Sequence, residues 1–174
     1  MIKKIKFIST AIYHRIISKN RLAKIVGVNF GNNCNFKTRG WGSEPYLISM
    51  GNNVRIASGV NFITHDGSVG VIRKKYPGYK NVDIFGEITI GNNVFIGMNA
   101  TILPNTKIGN NVIIGACSLV KGELKDNSVY AGIPAKYICS LDEFHNKNID
   151  KYDYTGDYPP KEKKAYLLKK YKKD

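Results

Sequence analysis

At 174 residues the chain has the length of one domain with appendages, enough to bury a core without help from disulfides or metals. Cys34, Cys117 and Cys139 are an odd number without framework spacing, and no run of 18 apolar residues occurs, which excludes a disulfide scaffold and a transmembrane helix and makes a reduced, cytoplasmic protein the expectation. The net charge of +14 is gathered at the two ends, with no basic recognition motif or aromatic stacking platform beside it, so nucleic acid is not an expected partner.

Residues 1–24 hold seven Lys or Arg and no acid. Within them Ile2, Ile5, Ile8, Ile12 and Ile16 recur in steps of three and four, which predicts a basic amphipathic helix. Lys3, Lys4, Lys6, His14 and Arg15 interrupt any signal-peptide apolar region, and no small-residue cleavage site follows. Such a segment can cap the end of a repeat fold with its lysines solvated, or make peripheral contact with the anionic headgroups of a membrane face.

From residue 25 the pattern changes. Phe30 and Phe36, then Met50, Ile56 and Phe62, stand six residues apart. After a gap, Ile84, Ile90, Ile96, Ile102, Ile108, Ile114 and Val120 continue at the same spacing. Neither a helix nor an isolated strand produces a period of six. A parallel β-helix with three flat sides does, one hexapeptide to a side, with the aliphatic residue pointing into the prism. A second inward set precedes the later members by two: Ile88, Val94, Ala100, Thr106, Val112 and Ser118. Gly-Asn-Asn recurs at 31–33, 51–53, 91–93 and 109–111, and both residue types suit corners because they tolerate positive φ. Gly91 and Gly109 are 18 residues apart, one full coil, whereas Gly51 and Gly91 are 40 apart, so an excursion must leave the coil between them.

That excursion is predicted as an irregular loop over 66–83, starting directly after His65. A loop leaving a rigid scaffold beside a histidine is a common place for function, although a histidine at a turn is also commonly structural. Two carboxylates are candidates to orient the ring. Glu44 lies 21 residues earlier, about one coil with a bulge, and Asp66 is adjacent, where alternation turns it the other way; Glu44 is the preferred partner. Beyond residue 138, Ser140 and Glu143 form a capping-box pattern, and Pro159–Pro160 precede a second helical stretch carrying Ala165, Leu167, Leu168 and Tyr171. Residues 161–174 hold seven Lys and two acids. The organisation is therefore a helical segment over 1–24, a β-helix over 25–138 and a helical, Lys/Tyr-rich extension over 139–174.

Ile90 to Val120, reading IGNNVFIGMNATILPNTKIGNNVIIGACSLV, and the closing run Ala131–Gly132–Ile133–Pro134–Ala135–Lys136 resemble the hexapeptide-repeat (left-handed β-helix) acyltransferases. Ser43–Glu44–Pro45–Tyr46–Leu47–Ile48 and Phe62–Ile63–Thr64–His65–Asp66–Gly67 are similar to the subgroup of sugar and capsular-polysaccharide O-acetyltransferases. The resemblance spans roughly residues 28–138. It implies an all-β left-handed parallel β-helix, a homotrimer with acetyl-CoA in the groove between subunits, and no metal. It also implies that His65 removes the proton of a sugar hydroxyl, with a backbone N–H for the oxyanion and Glu44 or Asp66 fixing the tautomer. Carried over by position, Met98 and Ala116 give backbone contacts to acetyl-CoA, and Lys121 and Lys136 lie near its phosphates. Trp41, Arg73, Tyr76 and Tyr79 are candidates to wall the acceptor. Lys121–Gly122, Asn105 and Cys117 depart from the usual pattern. An amino-sugar N-acetyltransferase or a non-catalytic scaffold would use the same coils. A β-helix zinc carbonic anhydrase would need three histidines from adjoining coils, and only His65 lies within them.

Overall fold

The computed structural model describes residues 17–172. The chain divides into two compact units, one running to Asp142 and one from Glu143. Ile2, Ile5, Ile8, Ile12 and Ile16, on which the N-terminal helix is predicted, lie outside the described residues.

In the first unit short strands wind into a three-sided parallel coil. Its opening turn carries β1 (Asn29–Phe30) and β2 (Asn35–Phe36). The next carries β3 (Ile48–Met50), β4 (Arg55–Ile56) and β5 (Asn61–Phe62). Two regular turns follow: β6 (Ile88–Ile90), β7 (Val94–Ile96) and β8 (Thr101–Ile102), then β9 (Thr106–Ile108), β10 (Val112–Ile114) and β11 (Leu119–Val120). The last has β12 (Glu123–Leu124) and β13 (Ser128–Ala131), on which β14 (Lys136–Ser140) folds back antiparallel. The three sides are the parallel sheets β1-β3-β6-β9-β12, β2-β4-β7-β10-β13 and β5-β8-β11.

In this register each inward residue stacks on its equivalent one coil away, as in Ile56 on Ile96 and Phe62 on Ile102. The period-six residues from Ile90 to Val120 are all buried, as is the second set from Ile88 to Ser118. Ile84 is the exception. It is 48% exposed, because the chain at Ile84–Phe85 is still the returning limb of the excursion and has not joined a wall. At one corner the Oδ1 atoms of Asn52, Asn92, Asn110 and Asp126 accept the backbone N–H of Asn32, Asn52, Asn92 and Asn110 in turn.

Helix α1 (Lys19–Val26) packs on the opening turn through buried Leu22 and Ala23. Asn20 stitches it there, donating to the Cys34 carbonyl (2.7 Å) and accepting from Phe36 N (3.1 Å). The excursion is more regular than its Gly/Pro content predicts. It contains α2 (Val69–Lys75), anchored by buried Val69, and a helical turn at Pro77–Tyr79.

The extension carries α3 (Leu141–Asn148), starting where the capping-box pattern puts it, and α4 (Pro160–Lys170), opening on the proline pair. In the second unit the Asp153 carboxylate accepts from Tyr166 and Lys170, both at 2.6 Å. The Lys170 bond first, and then the Tyr166 hydroxyl, hold its carboxyl below the ordinary value. No helix among the described residues is long and apolar enough to cross a membrane.

Candidate active site

The site is built at the neck of the excursion. The strand β5 runs on through buried Thr64 to His65, and the returning limb pairs beside it. Asp66 N donates to Ile84 O, Gly86 N donates to Thr64 O, both at 2.9 Å, and His65 faces Phe85 across an antiparallel bridge. This two-sided pairing fixes the histidine backbone although it stands outside the coil. Its ring lies on Phe85, centroids 4.8 Å apart and planes tilted by 33°. The side chain is 30% exposed, so the imidazole lies outside the apolar interior.

The carboxylate facing this ring is Asp83. His65 Nε2 is enclosed and stands 3.4 Å from Asp83 Oδ1 without the alignment of a hydrogen bond. The same oxygen is gripped by the Arg73 guanidinium, whose Nε also donates to Val82 O at 2.8 Å. Arg73 thus closes the far end of α2 onto the returning limb. An imidazole held between an aromatic ring and a carboxylate, partly open to solvent, has the chemistry and the access of a general base.

The two acids expected to orient the ring are engaged elsewhere. Glu44 stacks one coil below, as its spacing requires, but its Oε2 accepts from Thr64 Oγ1 (3.0 Å) and Ser43 Oγ (2.6 Å). Since Thr64 points inward and His65 outward, a carboxylate stacked under the first is turned from the second. Asp66 Oδ1 accepts from Ser68 N at 2.9 Å, opening the turn into α2. That backbone bond, followed by the Ser68 hydroxyl, lowers its carboxyl below the ordinary value.

Trp41 does not wall an acceptor. It is 3% exposed, stacked on Phe62 at 5.3 Å with Phe36 against its edge, because the segment around Gly42 folds it into the prism as a core residue. Tyr76 and Tyr79 are exposed on the excursion, edge to face at 6.4 Å. Met98 and Ala116 are exposed on consecutive coils at one corner, where Cys117 N donates to Met98 O at 2.8 Å. The corner is tight: a Cβ on Gly97 would stand 2.5 Å from Ala116 N. Asn99, Asn105 and Cys117 all hold positive φ, so the departures Asn105 and Cys117 occupy true corner positions. Lys121 and Lys136 are exposed, and Ala135 N donates to Leu119 O (2.8 Å), which runs the Lys136 segment alongside the strand leading into Lys121.

Asp83 and Phe85 escaped the sequence reading. The available signal was topological: where a period resumes after an insertion, the residues just before it must pass beside those just before the exit.

The model of the bacterial transferase hexapeptide family (six repeats) matches residues 87–122, the most regular coils. Protein CapG of Staphylococcus aureus is 47% identical over 163 residues, which is 92% of this chain and 92% of CapG. The chain belongs to the bacterial hexapeptide-repeat acyltransferases. Among other members of the family, galactoside O-acetyltransferase of Escherichia coli K12 is 34% identical over 134 residues, 76% of this chain and 59% of that protein. A solved structure of galactoside acetyltransferase in complex with coenzyme A aligns with a TM-score of 0.57 at 32% identity, over 76% of this chain and 62% of that one. A hexapeptide-repeat acetyltransferase from Vibrio cholerae, complexed with acetyl-CoA, has the same fold, with a TM-score of 0.57 at 24% identity over 66% of this chain and 61% of that one.

Proposed function

We propose that this acyltransferase moves the acetyl group of acetyl-CoA to a sugar hydroxyl in cell-surface polysaccharide synthesis, with His65 as general base. The observation that carries this is the clamped imidazole at the neck of the excursion, between Phe85 and Asp83. The relatedness to CapG and to galactoside O-acetyltransferase supports the acceptor class.

His65 accepts the proton of the attacking hydroxyl and returns it to the departing thiolate, so the two half-steps balance on one side chain. Asp83 faces one ring nitrogen and so orients the ring, leaving the other for the hydroxyl. Bound acetyl-CoA supplies the acetyl group as a thioester that a hydroxyl attacks without an acyl-enzyme. The chain's residues suit such a ligand: Met98 and Ala116 offer exposed edges on adjacent coils, and Lys121 and Lys136 offer charge for phosphates. The assembly we propose is a homotrimer of left-handed coils with acetyl-CoA between subunits, on the cytoplasmic side of the membrane and touching it through basic segments.

The test is release of free CoA from acetyl-CoA in the presence of envelope polysaccharide de-O-acetylated by mild alkali. His65→Ala is expected to lower kcat by about 10²–10⁴-fold, the usual contribution of a general base, while calorimetry still detects acetyl-CoA binding. Undiminished turnover in this variant would remove His65 from the mechanism. Faster transfer to free amino sugars would assign N-acetylation instead.

A further inference from the structure

Beside the imidazole, and not lined by it, lies a groove of about 320 Å³ on the outer face of the sheet containing β3, β6 and β9. Its walls include Leu47, Phe85, Glu87, Thr89, Asn105 and Lys107. Thr89 and Lys107 are register partners on neighbouring strands, so their side chains rise side by side from a rigid floor. Gly86 fixes the rim: a Cβ there would stand 2.7 Å from Asn105 N, so the neck sits directly on the corner of the next coil.

Two features point to a ligand. Phe85 is 48% exposed although its backbone is pinned on both sides, and the ring that lines this groove is the one that carries His65. Around it converge an acid, a base, an amide and a hydroxyl, which can donate to and accept from the several hydroxyls of a sugar, with the aromatic face taking the apolar face of the pyranose.

We propose that this groove is an acceptor subsite for a sugar unit other than the one being acetylated, so that the enzyme acts on an oligosaccharide or polymer in preference to a monosaccharide. The inference rests on the O-acetyltransferase reading above. A base must stand within about 2.6–3.2 Å of the hydroxyl it deprotonates, and ring partners stack at about 4.5–7 Å between centroids. A sugar stacked on Phe85 inside a groove that His65 does not line is therefore a neighbour of the reacting unit. Its binding holds the reacting hydroxyl against the imidazole, so remote contacts raise turnover as well as affinity.

The experiment uses de-O-acetylated envelope polysaccharide and its partial hydrolysis fragments, sorted into mono-, di- and trisaccharides and longer chains. With the full-length protein, kcat/KM is expected to rise at least about 10-fold from monosaccharide to the longer fragments, a usual scale for one well-placed contact. In Lys107→Ala and in Glu87→Gln most of that rise is lost, while acetyl-CoA binding measured by calorimetry confirms that each variant is folded. A flat dependence on length in the unaltered protein overturns the subsite and leaves the acetyltransferase reading standing. The same holds if both variants keep the full rise. Failure to acetylate any fragment sinks the function and the subsite together.

Discussion

Asp83 meets two side chains at once. One of its oxygens faces His65 Nε2 at 3.4 Å and also receives the Arg73 guanidinium. Arg73 cannot lose its charge, so it holds the carboxylate whether or not the imidazole is protonated. In the proposed mechanism Asp83 is a positioning residue, acting on the acceptor only through the ring it faces. Asp83→Asn keeps the shape and removes the charge, and is expected to lower kcat about 10-fold, at the low end of the range seen when a group orienting a functional histidine is lost. KM for acetyl-CoA should stay within about twofold, since the residue stands at the neck and the proposed mechanism puts acetyl-CoA at the coil corners. A matching rise in KM would mean that Asp83 shapes the acetyl-CoA groove instead. The same logic explains why Trp41, the chain's one tryptophan, is no acceptor platform: an aromatic stacked flat on Phe62 has spent both its burial and its face on the core.

Among the elements, the corners hold the coils in register. Asn93, Asn111 and Asn127 share a column of positive φ, and Asn93 and Asn111 each pass a side-chain N–H to the next Asn carbonyl at 2.8 Å. Asn111→Ala therefore loses three things, the ladder bond it accepts, the ladder bond it donates and a residue at ease with φ of 56°. Each is worth about 1 kcal/mol, and together about 3 kcal/mol. Asn111→Gly restores the backbone freedom and should recover about a third, which thermal and urea unfolding of the two variants can separate. Equal losses in both would show that the ladder bonds alone matter. This corner column was legible in the sequence because Gly-Asn-Asn repeats with the coil. So were the inward faces, because one side chain per hexapeptide must be apolar wherever the coil closes on itself. The neck was not legible. Ile84 keeps the period yet is exposed, since spacing counts residues and cannot register that the chain at that point still pairs antiparallel with His65–Asp66. Glu44 failed for a related reason: coil arithmetic located its level correctly but not which of two adjacent side chains it would meet.

For the whole molecule, the uneven charge is the property that the coils leave unexplained. Seven of the 27 Lys and Arg lie before residue 25 and seven more after residue 160, leaving the long middle almost neutral. In the second unit, α4 carries Lys163, Lys164 and Lys169 beside Leu167 and Leu168, and all three lysines are exposed. Leu168 and Tyr171 remain open as well, so cationic and apolar groups are available together on one short helix. That combination matches an anionic lipid surface, where each lysine contributes about 1 kcal/mol at low ionic strength. Lys170 is held by Asp153 and is better left in place. Replacing Lys163, Lys164 and Lys169 with Gln should therefore weaken co-flotation with phosphatidylglycerol vesicles about 100-fold, the equivalent of about 3 kcal/mol. Binding of the unaltered protein should fall steeply as salt is raised, because surface attraction decays over about 8–10 Å at physiological ionic strength. Equal flotation with neutral phosphatidylcholine vesicles would reject the electrostatic attachment and leave the lysines as a solubilising surface.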